Sequence, residues 1–380
     1  MSNDDGAQAC SLYFQDCTLE SMMAAETWRA ICPFLTCSTE GLATAHSSAV
    51  GGALTRGAHE SLCSKGFFQI NACQIKLDTR HAALTSLLAR GVLRLMEMGY
   101  SPCFLLMYNE CWEMTRIVSE FMLLATDGQN APLGDFYVFT VLSARQTAAA
   151  ALNPRAFVHR YSPGPPHRDR PSAGAASFTD DLTPHYVSTW LALTPATTAN
   201  SCLYCVPLAR DAGYYTEGDA RGQAIRVQDV LAKPLRQGAF LAFSHRLLHW
   251  GGALQPELEE EGEEGGEGWE GRKEAEEEEE PPRIALTNAH ALKAFEEAYY
   301  NHDTYPHDGT TPLGLRLGLA CGQQIQYAHL ASLKRYELAL LRRLFHSQKF
   351  FFSASYFEKI SSACQMLTFV LKQQRGRGGP

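Results

Sequence analysis

No uninterrupted apolar run in this 380-residue chain reaches the roughly 20 residues a membrane-spanning helix needs. The opening Met1-Ser2-Asn3-Asp4-Asp5-Gly6 lacks the basic and apolar regions of a secretory signal, and Gly378-Gly379-Pro380 is not a peroxisomal ending. No internal repeat argues for a solenoid. Twelve cysteines are scattered in apolar contexts such as Ile31-Cys32-Pro33-Phe34, and Cys202-X-X-Cys205 has no second pair at zinc-finger spacing. No stripe of basic and aromatic residues forms a nucleic-acid groove, since the basic face of Lys334, Arg335, Arg342 and Arg343 stands alone. These absences lead us to expect a soluble, intracellular, cytoplasmic protein with reduced, buried thiols.

Charge is present but unevenly placed. The net charge is −8, yet 257–280 alone holds 14 Glu and two basic residues; the remaining 27 acidic and 31 basic residues leave about +4. So acidic a segment buries too little apolar surface to fold and repels itself, so we expect a disordered loop inserted into a hairpin, open to a basic partner. Its removal brings Arg283 to about ten residues after His249, and closure entropy grows slowly enough with loop length to tolerate the insertion.

Chemistry is concentrated in Pro165-Pro166-His167-Arg168-Asp169-Arg170. On an extended strand the side chains of His167 and Asp169 share one face, with Arg168 on the other. Two imidazoles and one carboxylate suit a non-haem Fe(II) with open coordination positions. The segment Ala239 to Gly252 reads as a buried strand, a turn and a second strand opening at His249, the third candidate ligand. His245, four residues earlier, competes for that role, and His159 and His185 flank the site in sequence.

The resemblance lies in four segments in order. Tyr161 to Asp169, Val187 to Pro207, Leu247-Leu248-His249 and Pro282 to Thr287 resemble the phytanoyl-CoA dioxygenase family of Fe(II)- and 2-oxoglutarate-dependent oxygenases, over about residues 155 to 290. The resemblance implies a double-stranded β-helix, a cupin-like jelly roll, mainly β with flanking helices. It implies Fe(II) on His167, Asp169 and His249, 2-oxoglutarate held at its far carboxylate by Arg283 with Trp190 nearby, and O2 as oxidant. Where the family often has Ser two residues after the distal His, this chain has Gly251, leaving Thr287 as the candidate second carboxylate contact. Related halogenating enzymes lack the acid; Asp169 is present, so the resemblance implies hydroxylation of a small-molecule or lipid-like substrate with release of succinate and CO2. The reading from another class is a catalytically silent jelly-roll module that binds protein partners.

The rest of the chain reads as support. We expect a partly irregular N-terminal segment (1–65), an oxygenase domain with helical insertions (66–322) and C-terminal helices packed on it (323–380). Periodicity predicts strands at Gly66–Leu77, Cys103–Tyr108 and Phe136–Leu142, and helices at Arg80–Met98, Glu110–Thr126, Gln326–Phe345 and about Ser353–Lys372. Pro312–Ala320 is short and apolar, a further segment against the core.

Overall fold

Strands whose residues are apolar at nearly every position must be buried on both faces, and the computed structural model shows what covers each. It describes residues 17–38, 52–71, 74, 79–153, 156–157, 164–172, 176–218, 224–252, 281–305, 310–328 and 335–377. The acidic segment 257–280 lies outside them, as does His159.

Among the described residues, eight strands form two antiparallel sheets: β1 (Phe67–Ile70), β2 (Ala131–Val141), β3 (Tyr186–Ala192), β4 (Leu203–Val206), β5 (Leu231–Lys233), β6 (Phe240–Ser244), β7 (Leu248–Gly251) and β8 (Arg283–Ala291). The larger has the order β1-β6-β3-β8-β2 and the smaller β5-β4-β7. Register places Trp190 opposite both Leu241 and Thr287, and Ala192 opposite Ala285. The period of two then sorts the large sheet's side chains. Phe67, Trp190, Ala192, Leu241, Phe243 and Ala285 share a cluster with Leu203 and Cys205 of the small sheet. Their neighbours Phe68, Val187, Leu191, Phe240, Ala242, Ile284 and Leu286 join the main core with the helices.

Those helices include α1 (Leu19–Met23), α2 (Ala25–Ile31), α3 (Gly52–Lys65), α4 (Thr79–Glu97), α5 (Asn109–Ala125), α6 (Ala144–Ala151), α7 (Leu313–Gln326), α8 (Arg335–Ser347) and α9 (Ala354–Arg377). Phe121 of α5 sits between Phe68 and Phe240, with ring centroids 5.8 and 5.5 Å away. About 47% of the described residues are helical, which corrects the mainly-β expectation. Among them no helix is long and apolar enough to cross a membrane.

Two segments depart from their expected form. The apolar run at Cys103–Tyr108 is a buried 3-10 helix, Pro102–Met107, because Ser101 accepts from the Cys103 amide and Pro102 fixes the first turn. Pro312–Ala320 opens α7, whose residues from Gly314 to Ile325 are all buried. A run buried on every side need not show a one-sided apolar stripe, and its glycines serve close contact: a Cβ on Gly318 would lie 2.6 Å from the Phe352 ring. Of the predicted 326–345 helix, Gln326 closes α7 and Arg335 to Phe345 belong to α8, while 329–334 lie outside the described residues.

Candidate metal centre

Residues 164–172 form no strand, unlike the extended run expected for His167 and Asp169; only His167 bridges to β7. The His167 amide donates to the His249 carbonyl at 3.0 Å and the His249 amide to the His167 carbonyl at 3.1 Å. This reciprocal pair sets the two imidazoles side by side, centroids 4.4 Å apart. The Asp169 amide donates to the His245 carbonyl in the turn between β6 and β7. Asp169 Oδ1 then lies 3.6 Å from His249 Nε2 and 3.9 Å from His167 Nε2.

Tautomers follow from the outer hydrogen bonds. His167 Nδ1 is 3.0 Å from the Pro165 carbonyl and His249 Nδ1 is 3.0 Å from the Leu247 carbonyl. A carbonyl only accepts, so each Nδ1 carries the proton and each Nε2 turns a lone pair inward, as metal-ligating histidines are usually held. The Ser188 hydroxyl donates to Asp169 Oδ2. Ligand atoms of the three residues lie within 4.8 Å of one another, so they could hold a metal ion. Two neutral nitrogens and one carboxylate are a donor set that fits a divalent transition metal and leaves positions open.

Electrostatics keep His249 and Asp169 in ligand form. Burial pushes His249 down to about 4 against the opposing pull of Asp169. At Asp169, burial acts upward but His249, His167, Ser188 and Arg170 outweigh it, so the carboxyl is held below its ordinary range.

The three residues border a cavity of about 480 Å³ that Arg283, Trp190 and Thr287 also line. Arg283, 2% exposed, places its guanidinium 5.3 Å from the Trp190 ring centre. Thr287 donates its hydroxyl to the Tyr137 carbonyl at 3.1 Å, so in this rotamer it offers the cavity no proton. His245 is not among the grouped donors; it is fully buried, with Nδ1 3.0 Å from the Tyr186 carbonyl. His185 Nδ1 is 3.2 Å from the Ala176 carbonyl, a backbone contact. Cys202 and Cys205 are buried free thiols, and neither joins a possible metal group among the described residues. Sequence reasoning missed Ser188, which sits two residues before Trp190 and therefore shares its face of β3; that offset was its only signal.

The model of the phytanoyl-CoA dioxygenase family matches residues 139–255, a span that contains His167, Asp169 and His249. The match is to that stretch, less than a third of the chain. No curated protein matches the chain in sequence. Among solved structures, the chain is similar to AviO1 from Streptomyces viridochromogenes Tue57 at 14% identity, over 64% of this chain and 96% of that one, TM-score 0.39. It is similar to the epimerase SnoN in complex with Fe3+, alpha ketoglutarate and nogalamycin RO at 15% identity, over 63% and 84%, TM-score 0.38. A third is EctD from S. alaskensis with bound Fe, at 8% identity over 68% and 83%, TM-score 0.38.

The buried histidines around this site give a pH dependence. Burial pushes His245 from its ordinary 6.5 to about 4, and His290 to about 3. The unfolded chain therefore takes up these protons first, and stability falls as pH drops from about 6.5 toward 4. For His245 alone the loss by pH 5 is about 2 kcal/mol. Urea unfolding of the metal-free protein should show a lower stability at pH 5 than at pH 7; equal stabilities would contradict the neutral, buried state of these rings.

Proposed function

We propose that the protein is an Fe(II)- and 2-oxoglutarate-dependent oxygenase that hydroxylates a small-molecule or lipid-like substrate. The observation that carries this reading is the convergence of His167 Nε2, His249 Nε2 and the Asp169 carboxylate beside a cavity that also holds a buried arginine. The family domain supports it. The two antiparallel sheets, which share an apolar cluster beside that cavity, support reading the core as a double-stranded β-helix.

His167, Asp169 and His249 would hold the iron, which when bound supplies O2 activation coupled to decarboxylation of 2-oxoglutarate to succinate and CO2. The chain's own contribution is positioning and exclusion of water. Pro165 and Leu247 carbonyls keep the Nδ1 protons off the inner nitrogens, and Ser188 orients the carboxylate. Arg283 would take the cosubstrate's far carboxylate through charge-assisted hydrogen bonds, strengthened by its burial. Trp190 would form the wall beside that pair. Substrate identity depends on the remaining cavity surface rather than on the fold.

Anaerobic addition of Fe(II) and 2-oxoglutarate to the protein should produce a visible charge-transfer absorption. Its absence, or an equal band from His167→Ala, would sink the oxygenase reading.

A further inference from the structure

The residue between the two candidate ligands on 164–172 is itself deeply anchored. The side chain of Arg168 is 1% exposed and that of Asp211 fully buried. Arg168 Nη1 donates to Asp211 Oδ2 at 2.6 Å and Nη2 to Oδ1 at 2.9 Å, a two-point fork; Nη1 also donates to the Arg246 carbonyl. Arg246, fully buried in the turn between β6 and β7, donates from Nε, Nη1 and Nη2 to six backbone carbonyls within 170–171 and 213–218. The Gly213 amide closes the circuit on Asp211 Oδ1 at 3.0 Å.

This network stands where regular structure is missing. The segment with His167 and Asp169 belongs to no strand or helix, and its backbone bonds to the β6–β7 region run only through His167, Asp169 and Arg170. A side chain pointing away from the donors and locked at both guanidinium nitrogens fixes the rotation of that segment, and with it the direction in which the flanking residues point. The fork depends on planar geometry, which a point charge does not reproduce.

We infer that the Arg168–Asp211 pair is a positioning device for the metal centre, holding His167 and Asp169 in register with His249. The inference rests on the reading of those three residues as metal ligands.

Titration of the full-length metal-free protein with Co(II), followed by its d–d absorption alongside thermal unfolding, tests it. Asp211→Asn leaves a buried guanidinium without its carboxylate, so it should lower Tm and weaken Co(II) binding about 10- to 100-fold. The double variant Arg168→Met/Asp211→Leu removes both charges and should recover Tm, yet keep the weakened binding and a changed d–d band. Arg168→Lys, which retains charge but loses the fork, should also bind Co(II) more weakly. Wild-type affinity and band shape in the double variant or in Arg168→Lys would overturn the inference, leaving the pair a stability element. Failure of the wild-type protein to bind Co(II) would instead remove the metal-centre reading beneath it.

Discussion

Replacing Asp169 by alanine is expected to abolish succinate formation and to remove the thermal stabilisation that Fe(II) or Co(II) gives the wild-type protein. The carboxylate is the only charged donor of the three grouped residues, and it lies 3.6 and 3.9 Å from the two inward nitrogens. Loss of an outer-shell partner typically weakens a metal about 10- to 100-fold, so loss of the charged donor itself should cost more than about 100-fold. A metal present at 100 times its Kd stabilises the folded state by about 2.7 kcal/mol; in Asp169→Ala at the same concentration this falls below about 0.4 kcal/mol. The metal-free variant should be no more stable than wild type, because Ser188, Arg170 and the two imidazoles outweigh burial at this carboxylate. Thermal unfolding with and without metal checks both parts. An unchanged metal-induced shift in Asp169→Ala would place the ion elsewhere.

How much of this was legible in the sequence depends on the kind of signal. The Ala239–Gly252 pattern gave β6, a turn and β7 with His249 near its start, and the His-X-Asp spacing put His167 and Asp169 on one side of their segment. Those are local patterns with strict geometry. Helix α7, buried on nearly every side, gave no such pattern. Its glycines, of which Gly318 admits Phe352, mask the helix, and the Pro102–Met107 run looks like a strand until its Ser-Pro start is considered. α3 and α6 went unread for another reason: α3 buries only Thr55, Ala58 and Leu62 and α6 nothing, so neither carries a long apolar stripe.

Long-range polar partners were illegible for a different reason. Alternation indicates that Arg168 points away from its neighbours, but nothing local points to Asp211, which is 43 residues later. The same holds for Thr287: its face was readable, whereas the diversion of its hydroxyl to Tyr137 depends on the β2–β8 register. Burial and partner choice arise from packing between elements, which one chain's periodicity does not encode.

Arg283→Gln is expected to raise the KM for 2-oxoglutarate by roughly 150-fold, the equivalent of about 3 kcal/mol for hydrogen bonds to a charged group in a desolvated site. Arg283 is 2% exposed at the start of β8, with the Trp190 ring beside it, so water competes poorly for the same carboxylate. Lysine keeps the charge but not the planar fork, and should fall between the two. A contact to the far carboxylate holds substrate and transition state alike, so KM should move more than kcat. Because Arg283 is not one of the three grouped donors, Co(II) affinity in Arg283→Gln should remain that of the wild type. Steady-state succinate formation against 2-oxoglutarate concentration, paired with the Co(II) titration, separates the two. Loss of both together would mean that the variant disturbs the sheet rather than the cosubstrate, and an unchanged KM would move the carboxylate away from Arg283.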